Sequence, residues 1–166
     1  DLSVLFSKSD QVEGEQNKPD WKGVERDLAW AAKANCHIVP YWDTRYPALL
    51  KQISNPPMVL FVRGWCEVLS KPQLAIVGTR HPTHLGAETA KNFAREITNL
   101  NLSVTSGLAL GIDTAAHQGA LLGSKRTIGV LANGLDCIYP AQNKGLGLAM
   151  IEQGALISEF PIGVTP

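Results

Sequence analysis

The sequence has no surplus of charge of either sign. Its 166 residues carry 15 basic and 15 acidic side chains, so the formal net charge is zero, and charged residues make up only 18% of the chain. A chain without net charge has no long-range field that would attract nucleic acid. Any binding of phosphate groups must therefore depend on a few local donors and cations rather than on a broad basic surface.

Cysteines and long apolar runs are also scarce. The three cysteines, Cys36, Cys66 and Cys137, form no Cys-x-x-Cys pair, which argues against a disulfide framework and against a zinc site. No apolar stretch reaches the length that spans a bilayer, and no secretory signal opens the chain. These absences favour a cytoplasmic protein without a metal, a cofactor or a membrane partner.

The composition that remains is typical of a folded α/β protein, with 45% apolar residues. From Gln73 onward, short apolar runs alternate with helical patterns. Strands separated by helices predict right-handed crossovers and a doubly wound, mostly parallel sheet of the Rossmann type. The chain ends soon after the last predicted strand, so we expect a domain that is incomplete at its C-terminal end. The predicted strands are 73–77, 102–105, 126–131 and 155–158, and the predicted helices are 83–99, 111–122 and 145–153.

Residues 1–40 have a different character. The first 20 or so are polar, and a helical pattern over 21–34 follows, with Asp20 as its N-cap. We expect residues 1–40 to be a linker and a helix, and residues 41–166 to form the α/β domain. In that domain Thr83 is expected to cap the helix that follows it. The helical spacing predicts two buried faces, which consist of Ala90, Phe93, Ala94, Ile97 and Leu100 in the first helix and of Ile112, Ala115, Ala116, Gly119 and Leu122 in the next.

Three predicted strand-to-helix turns carry residues that suit a ligand. Such turns gather at the carboxyl ends of parallel strands, where helix N-termini offer free N–H groups. Glycine allows close approach of the backbone, Thr79 and Ser106 offer hydroxyls, and the planar guanidinium of Arg80 matches a phosphate. The turns are Gly78-Thr79-Arg80, Ser106-Gly107 through Gly111-Ile112-Asp113, and Ala132-Asn133-Gly134 through Tyr139-Pro140 to Asn143.

The spacing of these residues leaves two interpretations open. The turns bind phosphate, or their glycines serve only to reverse the chain and Arg80 is an ordinary solvated side chain. The pattern is neither G-x-G-x-x-G nor a Walker sequence, so a phosphate or phosphodiester is favoured over a dinucleotide cofactor.

Other polar residues are weaker candidates. Asp113 and His117 lie four residues apart on one side of a predicted helix, where they could act on a ligand as base and orienter. We favour the alternative that Asp113 caps the helix and that His117 is a partly exposed neighbour. Glu159 follows the last strand and would contact a sugar hydroxyl or pair with Arg80. The His81-x-x-His84 pair has no third ligand, so no metal site is predicted.

Taken in order, the motifs resemble the DNA-processing protein A family, also called Smf, which protects incoming single-stranded DNA during natural transformation. The resemblance extends from about Trp42 to Pro166, and it implies that residues 1–40 are the tail of a helical N-terminal domain and that residues 41–166 are an extended Rossmann-like DNA-binding domain. It runs through Asp43-Thr44-Arg45-Tyr46-Pro47, residues 53–64, Ala75-Ile76-Val77-Gly78-Thr79-Arg80, Ser106-Gly107-Leu108-Ala109-Leu110-Gly111-Ile112-Asp113 with Ala116-His117, Gly134-Leu135-Asp136 with Tyr139-Pro140 and Asn143, and Ile157-Ser158-Glu159-Phe160-Pro161.

The resemblance implies an extended Rossmann fold that binds single-stranded DNA without enzymatic activity, forms a homodimer as the full-length protein and loads the RecA recombinase. It implies no catalytic residue. The residues implied to contact DNA or phosphate are the clamp Gly78, Thr79 and Arg80, the floor Ser106, Gly107 and Gly111, and Asn143 and Lys144 on the third turn.

Two departures from the family pattern affect the expected affinity for DNA. Leu110 and the pair Ala141-Gln142 stand where many relatives carry basic residues, which implies a weaker or different contact with DNA. Two other functions stay open from the residues: a Rossmann-like nucleotide hydrolase, whose second glycine-rich turn usually has a glutamate that is missing from residues 132–136, and a nucleotide-sensing domain.

Overall fold

A computed structural model describes residues 19–124 and 126–166. The helices of the described chain are α1 (Trp21–Ala31), α2 (His84–Asn99), α3 (Ile112–Leu122) and α4 (Lys144–Ile151). The strands are β1 (Cys36–Pro40), β2 (Val59–Gly64), β3 (Gln73–Ala75), β4 (Ser103–Ser106), β5 (Thr127–Val130) and β6 (Ala155–Ser158). The polar linker expected over residues 1–18 lies outside the described residues.

The strands form a single six-stranded sheet in the order β1-β2-β6-β5-β4-β3. Strands β3 to β6 are parallel neighbours, whereas β2 pairs antiparallel with both β6 and β1. The helices α2, α3 and α4 connect the parallel strands one after another. The predicted α/β fold with a mostly parallel, Rossmann-like sheet is therefore confirmed.

The helix starts follow the capping residues that the sequence offers. The Thr83 hydroxyl accepts a hydrogen bond from Gly86 N at 3.1 Å, and the Asp20 carboxylate accepts one from Gly23 N at 3.0 Å. Both interactions satisfy a first-turn N–H group that would otherwise lack a partner.

The strand predicted over 73–77 differs from the prediction in length and position. It ends at Ala75 and lies at the edge of the described sheet, where β4 is its only neighbour. Val77 is consequently 74% exposed. The same apolar sequence can form a central strand or an edge strand, because its composition does not determine how many neighbouring strands it pairs with.

The faces of α2 and α3 agree with the prediction in their small residues, since Ala94, Ala115 and Ala116 are buried, and differ from it in three large ones. The two helices pack on each other through Ala94, Ala116 and Ala120, and a Cβ atom on Gly119 would overlap the carbonyl oxygen of Lys91. This close contact uses the small residues, so the larger ones turn outward. The prediction that these helices bury Phe93, Leu100 and Leu122 is wrong, since their exposed fractions are 52%, 70% and 63%.

The helices of the described residues lie against one face of the sheet. Val104 packs with α2 and α3, and Leu156 packs with Met150 of α4 and with Trp30 of α1, whose ring meets Phe61 edge-on at 6.0 Å. A second helical layer is not among the described residues; there, the short 3₁₀ helix Cys66–Ser70 covers part of the other face.

The division of the chain at residue 40 stays a prediction. The strand that precedes this point, β1, pairs along its whole length with β2, so it belongs to the same sheet. No helix in the described chain has the length and apolar character needed to cross a membrane.

Candidate functional site

A cleft of 310 Å³ opens where the three turns meet, at the carboxyl ends of the parallel strands. Each turn contributes to its wall. The lining residues are Arg80 from the first turn, Gly107, Ala109 and Leu110 from the second, Val130 to Asn133, Tyr139 and Pro140 from the third, and Pro166. The predicted meeting of the three turns at one edge of the sheet thus leaves a concave space of the size that small ligands occupy.

The first turn packs against the start of α3. Ile112 N donates a hydrogen bond of 3.1 Å to the carbonyl oxygen of Thr79, and a Cβ atom on Gly78 would lie 2.7 Å from Ile112 Cγ1. Gly111 has φ of +87°, and a side chain there would run into the same Thr79 carbonyl. The glycines therefore let two backbones touch, and this contact fixes the base of the Arg80 side chain.

Arg80 lies at the wall of the cleft. The residue is exposed, and its guanidinium has no hydrogen-bond or ion-pair partner among the residues that the structure describes. The pairing with Glu159 that the sequence left open is therefore not formed. A cation without a partner at the rim of a cleft is available to an anionic ligand.

The second turn is held from beneath by Asp113. Its buried carboxylate accepts hydrogen bonds from Gly107 N at 3.1 Å and from Ala109 N at 3.4 Å. Asp113 thus braces the loop. The favoured prediction that Asp113 caps α3 is wrong, because the N-cap residue is Gly111 and no side chain caps the helix. The Gly107 amide is already engaged, so this turn offers a phosphate fewer free N–H groups than its sequence indicates.

Asn143 joins the second turn to the third. Its Nδ2 lies within hydrogen-bonding distance of Leu108 O (2.8 Å), Ala109 O (3.3 Å) and Thr114 Oγ1 (2.8 Å), and the residue is buried. The predicted contact of Asn143 with DNA is untested. Its side-chain amide is directed at the protein, which favours a role in holding the two turns in place.

His117 is fully buried rather than partly exposed. Thr127 Oγ1 donates to Val104 O, so the 2.7 Å contact between Thr127 Oγ1 and His117 Nδ1 requires the proton on Nδ1. Burial lowers the pKa of His117 to about 4, and the main chain of Ser106 opposes this shift only in part. The histidine is thus neutral and lies below the cleft, as does the buried Ser106 hydroxyl.

The remaining candidates lie apart from the cleft. Lys144 is exposed at the start of α4, and neither it nor Glu159 is among the described residues that line the cleft. Glu159 borders a separate cavity of 610 Å³ together with Leu49, Val130 and Ile157. Within residues 19–124 and 126–166, no group of three or more His, Cys, Asp or Glu side chains could hold a metal ion.

The sequence places Asn133 and Tyr139 in the third candidate turn but assigns neither of them a role of its own. Asn133 Nδ2 donates to Gly134 O at 2.9 Å and to Cys137 O at 2.8 Å, which braces the third turn, and Tyr139 presents its ring at the rim of the cleft. The signal for both was their place in the turn after β5. An asparagine that follows a strand often bonds the backbone of its own turn.

Comparison with known proteins gives a consistent picture. The model of the family described as DNA recombination-mediator protein A matches residues 37–166. Protein Smf of Escherichia coli is 38% identical over 146 residues, which cover 87% of this chain and 39% of that protein. DNA processing protein DprA of Bacillus subtilis is 38% identical over 144 residues, 86% of this chain and 48% of that protein. The chain thus spans less than half the length of these relatives.

Two solved structures are similar in fold. The X-ray structure of DNA processing protein A from Streptococcus pneumoniae superimposes with a TM-score of 0.78 at 32% identity, and covers 90% of this chain and 50% of its own. A structure of DNA processing protein A from Helicobacter pylori, whose subject is the single-stranded DNA binding mode of that protein, gives a TM-score of 0.67 at 31% identity, with 72% and 55% covered.

Proposed function

Because this chain belongs to the DNA recombination-mediator protein A family, we propose that it binds the backbone of single-stranded DNA in the cleft between the Arg80 turn and the Tyr139-Pro140 loop. The observation that carries the proposal is the Arg80 guanidinium, exposed at the rim of the cleft without a partner in the described chain. The Helicobacter pylori relative, which is studied for its binding of single-stranded DNA, supports the choice of ligand.

The proposed roles follow from where each residue lies. Arg80 contacts a phosphate, and the backbone of Gly78 and Thr79 borders that contact. Gly107 lines the cleft, while Gly111 and Ser106 keep its floor close-packed. Lys144, exposed at the start of the next helix, is a second cation for a strand that extends beyond the cleft.

Binding through so few cations has a measurable consequence. Each phosphate neutralised on a single strand lowers the slope of log K against log salt by about 0.7, so about three contacts give a slope of roughly −2. Contacts to phosphate carry no sequence information, so we expect similar affinity for strands of different sequence.

Further parts of the proposal concern the whole protein. We propose that it acts as a non-enzymatic mediator in the cytoplasm, that it forms a homodimer and that it transfers the bound strand to RecA. These parts rest on the family resemblance, and the described residues carry no separate argument for them.

The test is fluorescence anisotropy with labelled oligo-dT of several lengths across a salt series. Arg80→Ala should weaken binding at least about tenfold, the loss expected for one charged hydrogen bond, and should make the slope shallower by about 0.7. Arg95→Ala is the matched control, because Arg95 is exposed on α2 outside the cleft and pairs with Glu96. Equal affinity and equal slope for wild type and Arg80→Ala would refute the assignment.

The same assay separates the two alternatives. Turnover of a nucleoside monophosphate would favour a nucleotide hydrolase. Saturable binding of a small nucleotide without affinity for oligo-dT would favour a nucleotide sensor.

A further inference from the structure

Tyr139 is a large aromatic side chain that the fold does not bury. Its exposed fraction is 56%, although Ile138 before it is buried in the main core cluster. The ring lies at the rim of the same cleft as Arg80. What sets this ring apart from other exposed aromatic side chains, such as Phe93, is its place at a concave cleft beside an unpaired cation of the described chain, where it is available to a ligand.

The loop that carries Tyr139 is braced on both sides of the ring. Asn133 ties the start of the loop to Cys137 O, and Asn143 ties its end to the carbonyl oxygens of Leu108 and Ala109. Asn143 N also donates to Pro140 O at 2.9 Å. The ring is therefore attached to a fixed backbone, so stacking on it does not require the loop to become ordered.

The rest of the wall near Tyr139 is apolar. Leu110 is 39% exposed and Val130 is 45% exposed, and both border the cleft with Pro140. The amides of Gly107 and Ala109 are engaged by Asp113, so they are not free to bond a ligand. A wall of this kind offers contact with a flat apolar surface and little hydrogen bonding, whereas Arg80 offers charge.

A nucleotide has the two chemical parts that these surfaces match, a flat base and an anionic phosphate. We propose that Tyr139 stacks on a base of the strand whose phosphate Arg80 contacts, and that this stacking selects single-stranded over duplex DNA. The inference rests on the proposed function and adds a residue that determines specificity. In a duplex both faces of each base are already stacked, so only a single strand can offer a base to the ring.

The experiment compares oligo-dT with an abasic strand of the same length, which keeps every phosphate but lacks the bases. Tyr139→Ala should weaken binding of oligo-dT about 5- to 150-fold, the range for one stacked base, and should leave binding of the abasic strand unchanged. Tyr139→Phe keeps the ring and should bind like wild type. Trp65→Ala is the matched control, since Trp65 is 54% exposed and lies beside the start of β6, at the opposite end of the parallel strands from the cleft.

Arg80→Ala gives the complementary result. It should make the salt slope shallower yet preserve the preference for oligo-dT over the abasic strand, whereas Tyr139→Ala should preserve the slope and abolish that preference. Tyr139→Ala should also reduce the ratio of single-stranded to duplex affinity.

The outcomes separate this inference from the proposed function. If Tyr139→Ala weakens oligo-dT and abasic strand equally, or weakens neither, the stacking inference fails while the phosphate site stands. If the wild-type chain binds no oligo-dT at all, the proposed function itself fails. Thermal unfolding of each variant shows that a loss of binding does not arise from a loss of folding.

Discussion

The amide nitrogen of Ile112 donates a hydrogen bond to the carbonyl oxygen of Thr79 at 3.1 Å, so the first turn of α3 is joined to the chain segment that carries Arg80. A free helix N-terminus would direct this amide at an anion. In this protein the amide of Ile112 is already bonded to Thr79 O and is not available to an anion. The charge for binding a phosphate must then come mainly from Arg80, and the hydrogen bond serves to hold that residue at the cleft.

Gly111→Ala should disrupt this junction. The backbone of Gly111 has φ of +87°, which side chains with a Cβ rarely adopt, and the new methyl group would overlap Thr79 O. We expect a loss of about 1–3 kcal/mol in the free energy of unfolding, the usual cost of such strain, together with weaker binding of oligo-dT. Chemical denaturation and anisotropy on the same sample measure both effects.

Gly145→Ala is the matched control for that substitution. A Cβ atom at Gly145 meets nothing within 4 Å, and the residue lies inside α4, where alanine is favoured over glycine by about 0.5–1 kcal/mol. Stability should therefore stay equal or rise. A Gly111→Ala protein as stable as the Gly145→Ala protein would contradict the account of the junction.

The sequence predicts the order and type of the main elements because each carries its own local signal. The hydroxyl of Thr83 marks the start of α2, and the change from β-branched runs to helical spacing marks the crossovers. Which elements lie next to one another in the fold is not determined by local sequence. That β3 lies at an edge, and that Ala94 rather than Phe93 faces α3, depends on how the elements are assembled.

The same distinction applies to the candidate site. The sequence could predict that the glycine turns and Arg80 meet at one candidate site, because turns after parallel strands converge. The use of Gly107 N by Asp113, and of the Asn143 amide by the second turn, could not be predicted, since each joins atoms whose separation only the folded chain sets. Sequence reasoning therefore finds the location of such a site better than it finds which groups remain free for a ligand.

Asn143→Ala should lower stability and DNA affinity together. The substitution removes the Nδ2 donor from the buried carbonyl oxygen of Leu108, and an unsatisfied buried acceptor costs about 1–3 kcal/mol. Asn99→Ala is the control, because Asn99 is exposed and makes only a long contact of 3.5 Å with Glu96, so its change should stay within about 0.5 kcal/mol. Reduced DNA affinity at full stability would instead indicate direct contact of Asn143 with DNA.

The buried His117 should make the protein less stable in mild acid. Its pKa is about 4 in the folded chain, against 6.5 without burial, so between these values the unfolded chain binds a proton that the folded chain does not. Stability must then fall as the pH falls through this window, by about 1.4 kcal/mol per pH unit and about 3 kcal/mol in total. Denaturant unfolding at pH steps from 7.5 to 4.5 measures the slope.

A matched pair of variants isolates this effect. His117→Gln removes the titrating ring and should flatten the pH dependence whatever its stability at pH 7.5, whereas His81→Gln, at an exposed position, should leave it unchanged. Asp43, a second group of the described chain whose pKa is strongly shifted, affects stability at lower pH. The hydrogen bonds from Arg45 lower the pKa of Asp43 to about 2, so the stability that the ionised Asp43 contributes is lost only below pH 3.8. A slope that persists in His117→Gln would assign the acid sensitivity to other groups.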